Sequence, residues 1–193
     1  MSSEMLTLIV LGFVVLIFII AFISMYNTII SKHNLVKRAW SDVANYERQK
    51  VNILDSLEPV VDQYTSHEAS TLKDITELRQ NIKSLDGKEP DVETLGQIQK
   101  QTDELIKGMS ITVESYPDLK ANTVYLDLMG QIKDQNENVG AAISIFNRNV
   151  EIFNSYIESF PSNIVNGMSA KKNRITEFSD SITDQNIEYK PSF

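Results

Sequence analysis

The chain contains no cysteine. That excludes disulfide bonds, thiolate catalysis and cysteine-ligated zinc, and leaves the redox compartment undecided. Histidine is nearly absent too: His33 and His67 are the only two among 193 residues. His67-Glu68 looks like the first half of the zinc-protease string HExxH, but Thr71 stands where the second histidine belongs. His33 lies next to Lys32 and close to a long apolar run, a poor setting for a metal ligand. The seven glycines form no phosphate loop, because Gly87, Gly96, Gly108, Gly130 and Gly140 stand singly and no G-x-x-x-x-G-K-[ST] occurs. The nucleophile elbow G-x-S-x-G is missing as well. With only five prolines, and long stretches rich in Leu, Ile, Val, Gln, Glu and Lys, the composition is that of helices.

Positive charge is also short, 18 basic against 26 acidic residues. Glu4 is the single charge in residues 1–30, so the other 25 acids and all 18 bases fall beyond it, a net of −7. Nucleic-acid binding needs clustered Lys and Arg, and here they are dispersed among more numerous acids. An anionic membrane surface would repel most of such a body, leaving Lys32, Lys37 and Arg38 as headgroup contacts. The carboxylates read as spread over solvated helix faces, from which spacing selects no acid and base pair. No catalytic residue, metal ligand or cofactor is assigned, and the chain is not expected to be an enzyme.

What the chain does have is MLTLIVLGFVVLIFIIAFISM, Met5 to Met25, without a charged side chain. At about 1.5 Å per residue this run is about 30 Å long as a helix, the thickness of a bilayer's hydrocarbon core. A cleaved secretory signal fits less well, since residues 1–4 supply no Lys or Arg and the run exceeds what an h-region needs. Lys32, Lys37 and Arg38 follow the run, and positive flanks stay inside, so the body is expected on the cytoplasmic side with the N-terminus outside. An inward N-terminus with an exported body is the alternative. The expected organisation is a short tail over 1–4, a transmembrane helix over 5–25, a helical domain over 26–167 and a polar tail over 168–193.

Two apolar patterns step by threes and fours. The first, Val36, Trp40, Val43, Tyr46, Leu54, Leu57, Val61 and Tyr64, begins directly after the apolar run, and no Gly or Pro separates Ser24 from Pro59. The transmembrane helix should therefore continue into a stalk, with a kink at Pro59 and helicity resuming to about Leu85. Asp86 to Pro90 reads as a turn and Asp91 as the N-cap of a helix reaching about Glu114. The second pattern is Leu119, Leu126, Met129, Ile132, Val139, Ile143, Phe146, Val150, Phe153, Ile157 and Phe160. It predicts one long helix from Pro117 to Phe160, ended by Pro161. Beyond Gly167 the tail is polar; Ile175, Phe178 and Ile182 allow one short amphipathic helix, and disorder is the alternative. The fold class is thus all-α: an N-terminal transmembrane helix continuing into an elongated bundle of three to four long helices.

Trp40, the only tryptophan, is read as buried in the seam with Val36 and Val43, a position in the membrane-interface belt being the alternative. Asn27, Asn34, Asn122, Asn136, Asn147 and Asn154 sit beside seam positions, where interhelical amide hydrogen bonds would enforce one pairing, ordinary solvated asparagine being the alternative for about half of them. Glu114 to Asn122, ESYPDLKAN, has the Pro and Asp that a helix start requires.

At that string the sequence resembles the LemA family of bacterial membrane proteins. The resemblance runs through Tyr26-Asn27, Ala39-Trp40-Ser41-Asp42-Val43, Leu57-Glu58-Pro59, Tyr64, His67-Glu68, Thr71-Leu72 and Arg79. It continues through Tyr116-Pro117-Asp118-Leu119-Lys120-Ala121-Asn122, Glu137-Asn138, Phe146-Asn147, Val150, Phe153-Asn154 and Ser159-Phe160-Pro161, covering about residues 20–168. The chain departs from the family at Tyr46 to Lys50, where relatives are often more basic, and in its tail from Ser169. The resemblance implies a single-pass protein with a long antiparallel helical domain facing the cytoplasm. It implies no enzyme, and a magnetosome-associated relative suggests a part in organising or shaping membrane. The expected function is a self-assembling scaffold anchored in the bacterial inner membrane, its partners being the bilayer and further copies of itself. The alternatives are an adaptor that presents the body to a protease, kinase or envelope-stress protein, and an envelope protein facing outward.

Overall fold

The structure, a computed structural model, describes residues 3–64, 69–85 and 87–179. Helices α1 (Ser3–Tyr64), α2 (Ala69–Ser84), α3 (Val92–Ser115), α4 (Pro117–Lys120), α5 (Thr123–Glu158) and α6 (Ser162–Val165) follow one another, and a π-helical turn (Asn166–Ala170) closes the series. No strand occurs among the described residues. The all-α fold with four long helices is the expected one.

The apolar run and the first stepped pattern are one helix, because nothing in α1 interrupts the backbone ladder before Pro59. Helical assignment continues past Pro59 to Tyr64, so α1 does not end at Pro59. Asp91 caps α3 as its residue type predicts, its carboxylate accepting from the Thr94 amide at 3.0 Å. Tyr116, with ψ 83°, leaves the helical region before Pro117 and ends α3.

The expected single helix from Pro117 to Phe160 is broken. Pro117 opens only the four-residue α4, and α5 restarts at Thr123. Asn122 is responsible: its Oδ1 accepts from the amides of Val124 (2.9 Å) and Tyr125 (3.1 Å), an N-cap and not a seam residue. Its Nδ2 donates to the Tyr64 hydroxyl at 3.2 Å. Asn122→Ala is expected to destabilise the fold by about 1–2 kcal/mol, with Asn122→Asp, which keeps the cap, losing less. Urea titration of the detergent-solubilised chain measures the difference; equal losses would show that the Tyr64 contact, and not the cap, carries the effect.

The chain divides into two compact units. The larger comprises Lys37–Asn147 and Thr176–Phe193. Within it α2 runs antiparallel to α1, since Arg48 Nη2 donates to the Leu85 carbonyl at 3.0 Å while Arg79, further back on α2, meets Asp55 and Glu58. The α5 segment is also antiparallel to α1: Tyr64 faces Asn122, Lys50 faces Asn136, and Trp40 faces Phe146. Trp40 and Phe146 are fully buried, their rings 5.3 Å apart and tilted by 57°. Such an aromatic pair adds about 0.5–1.5 kcal/mol beyond its burial. Leu126 and Tyr46 were expected in the core but are 53% and 36% exposed; Tyr125 and Glu47, one position away, are buried in their place.

The smaller unit comprises Met1–Val36 and Arg148–Ile175. Its core is formed by Ile29, Val36, Val150, Phe153, Ile157 and Val165, with His33 set edge-on to the Phe153 ring at 5.4 Å. Phe160, expected as the last seam residue, stands 79% exposed at the corner between α5 and α6. Residues 171–179 have no regular secondary structure, so the amphipathic helix expected there does not form at Ile175 and Phe178. Ile182 lies outside the described residues.

Candidate functional site

The core of the larger unit holds a buried ion pair. Glu47 and Lys50 sit one turn apart on α1, 0% and 1% exposed, with Lys50 Nζ 2.9 Å from Glu47 Oε2. Thr102 Oγ1 and Asn136 Oδ1 each accept from the ammonium at 3.2 Å, and Gln99 Nε2 donates to Glu47 Oε1. The Lys50 ammonium is the partner of Glu47 Oε2. Beside the pair, Gln135 Nε2 donates to the Tyr46 carbonyl at 2.9 Å. One polar cluster thus draws on α1, α3 and α5.

Burial pushes the Glu47 carboxyl above its ordinary value, against the pull of Lys50 and Gln99. Burial also pushes the Lys50 ammonium below its ordinary value, against the attraction of Glu47. Each charge is therefore tolerated because the other is there. The carboxylates are not all on solvated faces as the sequence suggested, and Glu47 is the exception. Among the described residues no group of three or more His, Asp or Glu is arranged to hold a metal ion.

The motif residues mostly serve to fasten elements together. Ser41 Oγ donates to the Gly87 carbonyl at 2.7 Å and Lys37 Nζ meets Glu89 Oε1 at 2.5 Å, so α1 holds the connection between α2 and α3. Arg79 Nη1 bridges Asp55 at 2.5 Å and Glu58 at 2.7 Å, joining α2 to α1. Pro59 and Asp118 are exposed, and Tyr116 and Pro117 end and open their helices. Tyr26 is half-buried and Asn27 exposed, while Arg38 is exposed and Lys32 lies over the Tyr156 ring, 5.2 Å from its centre. Phe160 and Pro161 form the corner after α5. His67 and Glu68 lie outside the described residues.

Asn147 and Asn154 do not pair helix to helix as expected. Each holds a backbone. Asn154, 3% exposed, donates from Nδ2 to the Ile175 carbonyl (2.9 Å) and accepts at Oδ1 from the Ile175 amide (3.0 Å). Asn147 does the same to Phe178, at 2.7 and 2.8 Å. Asn166, which sequence reasoning passed over, does it to Lys172, at 2.9 Å for both bonds. A carboxamide presents donor and acceptor side by side and so matches the N–H and C=O of one residue. The residues held are three apart, 172, 175 and 178, so the stretch 172–178 is tied down by its main chain whatever its side chains.

These features define an all-helical protein whose first helix carries a bare apolar segment. The LemA family model matches residues 39–189, and the chain belongs to the LemA family. It is 27% identical over 149 residues to Protein LemA of Metamycoplasma hominis, a match covering 77% of this chain and 67% of that protein.

Proposed function

We propose that this protein is a non-enzymatic scaffold, anchored by α1 in the bacterial cytoplasmic membrane as a single-pass protein with its helical body on the cytoplasmic side, and self-associating there. The observation that carries this reading is the bare stretch of α1 over residues 3–20. The apolar window in this helix is 0% buried, with Phe13 64% and Phe18 71% exposed. A helix apolar on every face and covered by nothing has a bilayer as its solvent. Lys32, Lys37 and Arg38 after the run favour the cytoplasmic orientation.

Self-association is supported by apolar side chains the larger unit leaves uncovered, Ile111 (70%), Val124 (54%) and Leu126 (53%). Tyr125, between the last two, donates to the Met109 carbonyl, so Val124 and Leu126 flank the contact of α5 with α3. Reconstituted at several protein-to-lipid ratios in native-lipid nanodiscs, the chain is expected to count as more than one copy by mass photometry, and Ile111→Asp with Leu126→Asp to reduce that number. A monomer at every ratio would rule out the scaffold. A reproducible foreign protein co-purifying with monomer would favour the adaptor.

A further inference from the structure

We propose that the corner between α5 and α6 is a second membrane contact, inserting Phe160, Ile164 and Met168 into the leaflet from which α1 emerges while the cations around it hold anionic phospholipid headgroups. The inference rests on α1 spanning the bilayer.

Within the smaller unit, α5 returns antiparallel along α1. Tyr156 lies against Lys32 and Phe153 against His33, so moving up α5 means moving down α1. Phe160 is four residues beyond Tyr156, about 6 Å further toward the apolar run at helical rise, level with about Thr28. Here the run stops being bare: Ala21, Phe22, Met25 and Tyr26 are half-buried and Ile29 is fully buried. The corner therefore sits at the depth where acyl chains give way to headgroups.

What it exposes there is apolar. Phe160 is 79%, Met168 70% and Ile164 51% exposed, although neighbouring Ile157 and Val165 are buried. A polar corner would be the ordinary end for a helix facing water, whereas a cluster of bare large side chains beside a membrane span fits an interface. Charge points the same way. The whole chain is −8, but the returning segment Arg148–Ile175 carries Arg148, Lys171, Lys172 and Arg174 against Glu151 and Glu158 only. Glu158 is itself 3.4 Å from Arg174. Arg148 and Lys32 line one shallow cleft together with Ser155, Tyr156 and Ser159, two cations against the single carboxylate of Glu151 there. A second shallow groove climbs α1 from Ile20 and Ile23 through Ser24, Asn27, Thr28 and Ser31 to the same Lys32, with Leu35 just beyond it. Apolar at its start and lined by hydroxyls and an amide as far as Lys32, it follows the polarity of a phospholipid from chain to headgroup over that stretch.

This revises the expectation that only Lys32, Lys37 and Arg38 meet headgroups. Lys37 is engaged by Glu89, and the helical return brings in cations from more than a hundred residues away.

The test uses the full chain, whose lack of cysteine makes single labelling sites clean. Phe13→Cys, Asn34→Cys and Met168→Cys are each labelled with an environment-sensitive fluorophore and reconstituted in phosphatidylcholine vesicles with or without phosphatidylglycerol. Lipids carrying a nitroxide near the headgroup should quench the Met168 label several-fold more than the Asn34 label, with a blue-shifted emission. Arg148→Glu with Lys172→Glu should weaken that quenching in the anionic vesicles and leave it little changed in the neutral ones. Quenching of the Phe13 label by a mid-chain nitroxide, with the Met168 label no more quenched than the Asn34 label, would overturn the proposal and leave the anchor standing. An unquenched Phe13 label would take both down.

Discussion

Lys50→Met is expected to lower the stability of the fold by about 3–5 kcal/mol, and adding Glu47→Leu is expected to recover most or all of that loss. The single change leaves a carboxylate 0% exposed in the core, with Gln99 as its remaining partner. The double change removes both charges and their desolvation together. It fills the same space with carbon, leaving Thr102 Oγ1, which still donates to the Ile98 carbonyl at 2.8 Å, and Asn136 Oδ1 as the groups that lose a donor. Chemical denaturation of the solubilised chain, followed by helical circular dichroism, gives both numbers. A double variant as unstable as the single one would mean that the pair contributes net stability. The pH profile supplies a second readout. Because Glu47 is raised, the folded chain binds its proton more readily than the unfolded chain does, between the ordinary carboxylate value of 4.5 and the raised one. Its contribution to stability is thus present at acid pH and lost as pH rises through the raised value. The double variant should lack that slope.

Such a pair is expected to specify one packing. Lys50 finds acceptors on α3 and α5 at once, so a one-residue slip of any of the three helices would strand a buried charge. We expect the double variant to be at least as helical as the natural chain but less uniquely packed, with broader side-chain signals for Trp40.

Asn154→Ala is expected to free the segment around Ile175. It deletes two hydrogen bonds at a buried position and leaves the Ile175 N–H and C=O to find water, a local loss of about 2–3 kcal/mol. Hydrogen exchange at the Ile175 amide should accelerate by roughly 30- to 150-fold, with the amides of α1 in the larger unit unchanged. Asn154→Asp, which keeps the acceptor for the amide but offers the carbonyl no donor, should fall between the two. Unchanged exchange at Ile175 in Asn154→Ala would show that the clamp does not hold the segment.

Most of the helical plan was legible because helices announce themselves locally. Asp91 and Pro117 are start signals, Tyr116 before Pro117 is a stop, and the apolar stripes continue for many turns. The cluster at Glu47 and Lys50 left a signal that was readable only by trusting spacing over residue type. Positions 36, 40, 43, 47, 50, 54, 57 and 61 alternate steps of four and three without a break, and the core slots at 47 and 50 simply hold charged residues. Reading Tyr46 into the stripe, because it is aromatic, hid them. The break at Asn122 was missed for a related reason: an asparagine within an apolar pattern fits a polar seam residue and an N-cap equally well until the neighbouring amides are placed. Nothing local marks the tail segment, since the clamps of Asn147, Asn154 and Asn166 read main chain and leave no requirement on the side chains they hold. The cationic return beside α1 is likewise a property of topology, because Lys32 and Arg148 are neighbours only after α5 has folded back.

The arrangement in the membrane is tested most directly by thiol accessibility on the cysteine-free chain. Ser3→Cys and Ser56→Cys, both exposed positions of α1 on opposite sides of the apolar run, are expressed separately and treated with a membrane-impermeant maleimide. In intact spheroplasts Ser3→Cys should label and Ser56→Cys should not, and Ser56→Cys should label fully once the membrane is opened. Labelling of Ser56→Cys in intact spheroplasts would place the helical body outside the cytoplasm and contradict the account.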